Sequence, residues 1–132
     1  MSRLLESRAV LAVRDVAAST RYYTDVLGFR VDPIAAPGWS FLSRDSIKLM
    51  LGECAEEVPA SETGNHSWFV RIVVEELDGL HGEIASRGAE VIIAPGNRAH
   101  GHREFVVRTP DGHRIMFAEP LAWIAERAAL NG

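Results

Sequence analysis

Apolar and polar positions change period several times along the 132 residues, and each change marks an element. Residues 10–13 are apolar without interruption, as in a strand covered on both faces. Asp15 then suits a helix N-cap, because its carboxylate can accept an orphan amide hydrogen bond. A helix is predicted over 16–27, striped by Tyr22, Tyr23, Val26 and Leu27 and stopped by Gly28. Strands are predicted at 29–31, 39–43 and 47–51, with Pro33, Pro37 and Gly38 in the first connection and a hairpin turn at Arg44-Asp45-Ser46. The order is βαβββ. It then recurs: a strand over 68–74, a helix opened by Glu75-Glu76 and stopped by Gly88, and a strand over 89–93. A turn at Ala94-Pro95-Gly96-Asn97 follows, then strands at 104–108 and 113–118 joined through Thr109-Pro110-Asp111-Gly112.

The recurrence is an internal duplication. Gly28 returns as Gly88 and Asp45 as Asp111, and the longer second offset is taken up by the loop from Gly96 to His102. Asp45-Ser46-Ile47-Lys48-Leu49-Met50-Leu51 aligns with Asp111-Gly112-His113-Arg114-Ile115-Met116-Phe117. The polar, acidic stretch between the halves reads as a linker loop. After Pro120 a short helix over 121–130 has Leu121, Ile124 and Ala128 as its apolar side. The boundaries are one domain over 1–132, with module one at about 7–52, the linker at about 53–66, module two at about 67–119 and the terminal helix last.

Composition narrows the function classes. Hydrophobic residues make up 47% and charged residues 24%, as in an ordinary soluble globular chain. No apolar run reaches the roughly 18 residues that span a bilayer, and the first residues lack the apolar core of a signal peptide, so a cytoplasmic location without membrane association is expected. One cysteine, Cys54, excludes an internal disulfide framework; its acidic neighbours Glu53, Glu56 and Glu57 would raise rather than lower its thiol pKa, which argues against a nucleophile. A net charge of −4 argues against nucleic-acid binding. There is no glycine-rich phosphate loop.

The stretch from Val13-Arg14-Asp15-Val16 to Tyr22-Tyr23, with Leu27-Gly28-Phe29, and the stretch from Arg103-Glu104-Phe105 to Thr109-Pro110-Asp111-Gly112-His113 and on to Phe117 carry a family resemblance. Paired βαβββ units with these signatures resemble the vicinal oxygen chelate superfamily: glyoxalase I, extradiol dioxygenases, fosfomycin-inactivating enzymes and bleomycin-resistance proteins. The resemblance spans roughly residues 8 to 119. It implies an α+β fold in which two tandem βαβββ modules form curled mixed sheets, a cup with helices on the outer face. It also implies a homodimer with cups at the subunit interface. One such fold hosts many chemistries, so activity must be argued from the site.

Metal-dependent members place His, Glu or Gln at the starts of both first strands and in the middles of both last strands. Here those points are Arg8, Phe69 (or Trp68 one residue earlier), Met50 and Met116. A guanidinium is a cation, a phenyl ring has no lone pair, and a thioether is a poor donor to hard divalent ions. The usual metal site is therefore expected to be absent, and no cofactor is expected. Strand alternation puts Lys48 and Arg114 on the faces of Met50 and Met116, groups Arg8 with Val10 and Ala12, and groups Phe69 with Arg71 and Val73. Trp39 and Phe41 share the neighbouring face, while Ile47, Leu49, Leu51, Ile115 and Phe117 face the helices. The candidate ligand-binding set is Arg8, Trp39, Phe41, Met50, Trp68, Phe69, Arg71, Glu104, Arg114 and Met116, with no catalytic residue assigned. Met and aromatic side chains at such positions also serve as plain core, and the basic residues also serve as partners for Glu53, Glu90, Glu104 or Glu119.

The resulting expectation is a metal-free binding protein of the bleomycin-resistance type, which sequesters a drug-like or aromatic molecule. The alternative is a metal-dependent glyoxalase-like lyase, isomerase or dioxygenase, using His66, His100 or His102 with an acid such as Glu104. A metal-free enzyme with Glu104 or His102 as general base is a third reading. His66 and His81 are expected at the surface, His113 at a turn exit, and His100-Gly101-His102 in a solvated loop.

Overall fold

The computed structural model describes residues 1–63 and 68–132. They form two compact units, Met1–Pro59 and Ala60–Gly132.

In the first unit the order is β1 (Ala9–Val13), α1 (Val16–Asp25), β2 (Arg30–Val31), β3 (Trp39–Arg44) and β4 (Ile47–Glu53). The strands form one mixed sheet in the order β1-β4-β3-β2. β1 runs parallel to β4, as a strand separated from its neighbour by a helix and two strands can, while the β3–β4 hairpin is antiparallel. The Asp15 side chain accepts from the Ala18 amide at 3.1 Å, the expected cap. α1 ends two residues before the predicted Leu27, and Gly28 follows at φ 74°. Leu11, Val13, Leu42, Leu49 and Leu51 are buried with Tyr23, Leu27 and Phe29, so this side of the sheet and α1 share the core.

The second unit repeats the plan. A 3-10 turn at Ala60–Glu62 lies within the predicted linker, with Ala60 buried. Then come β5 (Trp68–Val73), α2 (Leu77–Ser86), β6 (Glu90–Asn97), β7 (His102–Arg108), β8 (Arg114–Pro120) and α3 (Leu121–Asn131). The sheet order β5-β8-β7-β6 is that of the first unit, position for position. Ile72, Phe105, Val107, Ile115 and Phe117 form its core with Leu77 and Ile84 of α2.

Two further differences from the sequence expectation bear on the site. β6 runs straight through Ala94-Pro95-Gly96-Asn97, expected as a turn, because β7 starts at His102 and pairs with it as far as Asn97. Register shifts between Val91 and Ile93 and between Ile93 and Gly96 let an edge strand absorb a proline and a glycine. α2 starts one residue after Glu76, which takes a left-handed conformation (φ 60°, ψ 58°) and has no side-chain cap of its own. The buried Glu119 carboxylate replaces that cap, accepting from the amides of Glu76 and Leu77 at 2.9 and 3.0 Å.

Candidate functional site

The face of each sheet away from its helix carries the candidate residues. In the first unit, register places Val10, Met50 and Phe41 in one row across β1, β4 and β3. Ala12, Gly52 and Trp39 form the next row. Val10 and Ala12 are exposed, Met50 and Phe41 half-buried, and Trp39 is 43% exposed. The Trp39 indole lies against Gly52: a Cβ there would stand 2.6 Å from Trp39 Cζ3. Gly52 thus leaves a shelf on which the ring rests, flanked by a thioether and a phenyl ring. The arrangement suits a planar, apolar guest.

Arg8 closes one end of this face. Its guanidinium donates to the Leu49 carbonyl at 3.0 Å and the Leu42 carbonyl at 3.3 Å, pairs with Asp32 Oδ2 at 3.0 Å, and stands 5.3 Å from the Phe41 ring centroid. Ser43 Oγ donates to the other Asp32 oxygen at 2.6 Å. The Ser43 hydroxyl, and after it Arg8, hold the Asp32 carboxyl below its usual range. Lys48 pairs with Glu6. Arg8 is therefore fixed as a wall of the face.

In the second unit the equivalent row is Arg71, Met116, Val106 and Ile93 across β5, β8, β7 and β6. The adjacent row is Val73, Ala118, Glu104 and Gly96. Glu104 is the electrostatic centre: its side chain is 7% exposed, and three cationic or protonatable groups surround it. Arg71 Nη2 stands 3.4 Å and His100 Nε2 2.9 Å from Oε2, and Arg98 Nε 3.9 Å from Oε1. The Arg98 guanidinium lies across Gly96, where a Cβ would come within 2.5 Å of Nη1. Sequence reading had Arg71 and Glu104 in the set but missed Arg98. The sequence carries no signal for it, because Gly96 reads there as part of a turn and becomes a strand glycine only through the pairing of β6 with β7.

The other expected residues take different places. Arg114 is buried at the start of β8, in register with Trp68 and Arg108. Phe69 sits at a register shift in β5, and its ring meets the buried His113 imidazole edge-on at 4.7 Å. His113 does follow the turn at 109–112, as expected, but its side chain is buried, and burial pushes its pKa down. His81, expected at the surface, packs its half-buried ring edge-on against the core ring of Phe105 at 5.2 Å. His66 lies outside the described residues. Of the pairings that the plainer reading expected for the basic residues, Arg71 does meet Glu104, whereas Glu90 and Glu119 pair with Arg108 and Arg127, bases outside that set.

The donor chemistry does not fit the divalent cation of the metal-dependent relatives. Met50 and Met116 occupy equivalent mid-strand places, each in register with the first strand of its own sheet. Neither thioether, nor the engaged Arg8, nor Phe69 offers a hard donor. His100 and His102 have ring centroids 5.2 Å apart, but Glu104, the carboxylate paired with His100, faces two guanidiniums. Among the described residues no three His, Cys, Asp or Glu side chains gather as such an ion needs.

Comparisons with known proteins agree with this fold. A bleomycin-binding protein from Streptomyces verticillus, solved with copper(II)-bleomycin, is 28% identical over 89% of this chain and 97% of its own, with a TM-score of 0.71. A glyoxalase-related enzyme from Clostridium phytofermentans (16% identity, 90% and 97% coverage, TM-score 0.72) shares the fold. So does a glyoxalase/bleomycin resistance protein/dioxygenase from Nocardioides (23%, 92% and 86%, 0.68). Among curated proteins nothing matches. The model of one family matches residues 7–117, and with the duplicated βαβββ topology this places the chain in the Glyoxalase/Bleomycin resistance protein/Dioxygenase superfamily.

Proposed function

We propose that this protein binds a small drug-like or aromatic molecule without a metal ion and acts by sequestration, in cups at a homodimer interface in the cytoplasm. The observation that carries the reading is the chemistry at the four family metal positions. In the first unit these are a tethered guanidinium and the Met50 thioether, with an indole laid on Gly52; in the second they are the Phe69 ring and the Met116 thioether. Such surfaces hold guests by stacking and dispersion, with a few polar groups fixing orientation. The bleomycin complex of the Streptomyces verticillus relative supports ligand binding as the activity.

The test is titration of the purified protein with planar aromatic compounds, followed by tryptophan fluorescence and calorimetry with and without chelator. Stoichiometric binding that chelator leaves intact, with the compound recovered unchanged, is expected. Trp39→Ala should weaken it about tenfold, the equivalent of ~1.4 kcal/mol of lost stacking. Stoichiometric Ni, Zn, Mn or Fe in the purified protein, with turnover of a hemithioacetal, would overturn the reading in favour of a metal-dependent lyase.

A further inference from the structure

We propose that the open face of the second sheet selects an organic anion, a planar carboxylate, and that Arg71 and Arg98 grip it while Glu104 holds them in place. The inference rests on the small-molecule-binding reading above and adds the charge of the guest.

Charge is unbalanced at one point of this face. Glu104 brings one negative charge, and Arg71 and Arg98 bring two permanent positive ones. Both carboxylate oxygens are turned toward cations: Oε2 toward Arg71 and His100, Oε1 toward Arg98. Glu104 is buried, whereas the Arg71 and Arg98 side chains are 42% and 34% exposed. Each guanidinium spends one edge on Glu104 and, among the described residues, has no other acidic partner. The remaining N–H groups are a rigid fork that matches a carboxylate with two parallel hydrogen bonds.

Apolar surface lies beside this charge. Arg71 stands in register with Met116, and the row continues through the buried Val106 to Ile93; Val73 lies in Glu104's own row. Met116 is half-buried, and Val73 and Ile93 are exposed. A flat ring can lie on that row with its carboxylate at the guanidiniums. The selectivity must be local, because the chain as a whole carries −4 and repels anions at a distance. Further along the face Arg114 is buried, and Arg108, in register with it, is paired with Glu90 at 2.6 Å.

The test uses three probes of one shape: 2-naphthoate, 2-naphthamide and 2-naphthylmethylammonium, measured by calorimetry on the intact protein. Naphthoate should bind roughly tenfold tighter than the amide, and the ammonium weakest. Arg98→Gln and Arg71→Gln should each bring the ratio of naphthoate to amide affinity close to one, and Arg98→Lys should restore part of it. Arg98 lies in a hairpin loop, so its variants remain informative if Arg71→Gln fails to fold. Amide or ammonium binding as tightly as naphthoate overturns the anion inference and leaves the binding reading standing. So does a naphthoate preference that survives the Arg98 variant. Absence of binding by all three overturns both.

Discussion

Each open face has one glycine over which a larger side chain lies, Gly52 beneath Trp39 and Gly96 beneath Arg98. The two cradles prepare different chemistry, an aromatic shelf in one unit and a guanidinium in the other. Gly52→Ala would push a methyl group into the indole, and because Trp39 is partly exposed the ring can swing away. The expected cost is about 1 kcal/mol, at the low end for overpacking, with a red-shifted tryptophan emission. Denaturant unfolding in a Trp39→Ala background checks the cause: there Gly52→Ala should cost almost nothing, and an unchanged cost would rule out the indole contact.

At the scale of elements, Glu119 joins three of them. It sits near the end of β8, caps the first amides of α2, and pairs with Arg127 of α3 at 2.9 Å. Burial alone would raise its pKa, but the Arg127 hydrogen bond and the Leu77 and Glu76 amides outweigh it and hold the carboxyl below 4.5. Unfolding releases those partners, so the unfolded chain takes up the proton first as the pH falls. The stabilisation is complete above about pH 4.5 and is lost as the pH drops from there through the folded-state pKa. Glu119→Gln replaces one acceptor with an amide facing another donor and should cost roughly 3 kcal/mol at neutral pH. It should also flatten that part of the acid limb in stability-versus-pH measurements. Arg127→Ala should cost less, about 1 kcal/mol, because the arginine is partly solvated and the α2 amides remain.

At the scale of the molecule, the proposed dimer makes stability depend on protomer concentration. Equilibrium sedimentation should return about twice the 14.5 kDa chain mass, and the thermal midpoint should rise with concentration. A single 14.5 kDa species at all concentrations would remove the dimer from the proposal. Among the described residues no helix is long and apolar enough to cross a membrane. The duplicated βαβββ order, the Asp15 cap, the glycine stops and the core faces of β4 and β8 were all legible in the sequence. They depend on local conformational preference and on a period of two or 3.6 that neighbouring residues impose on each other. So was the misfit of Arg8, Phe69, Met50 and Met116 to a hard cation, since donor chemistry belongs to the residue itself. Other features needed the tertiary structure. The extension of β6 through Pro95 and Gly96 follows from pairing with β7. His81 and His113 are taken inside by Phe105 and Phe69, partners distant in sequence. The meeting of Arg71, Arg98 and His100 on Glu104 depends on strand register and on a glycine that makes room, and no spacing along the chain encodes which cations a buried carboxylate will collect.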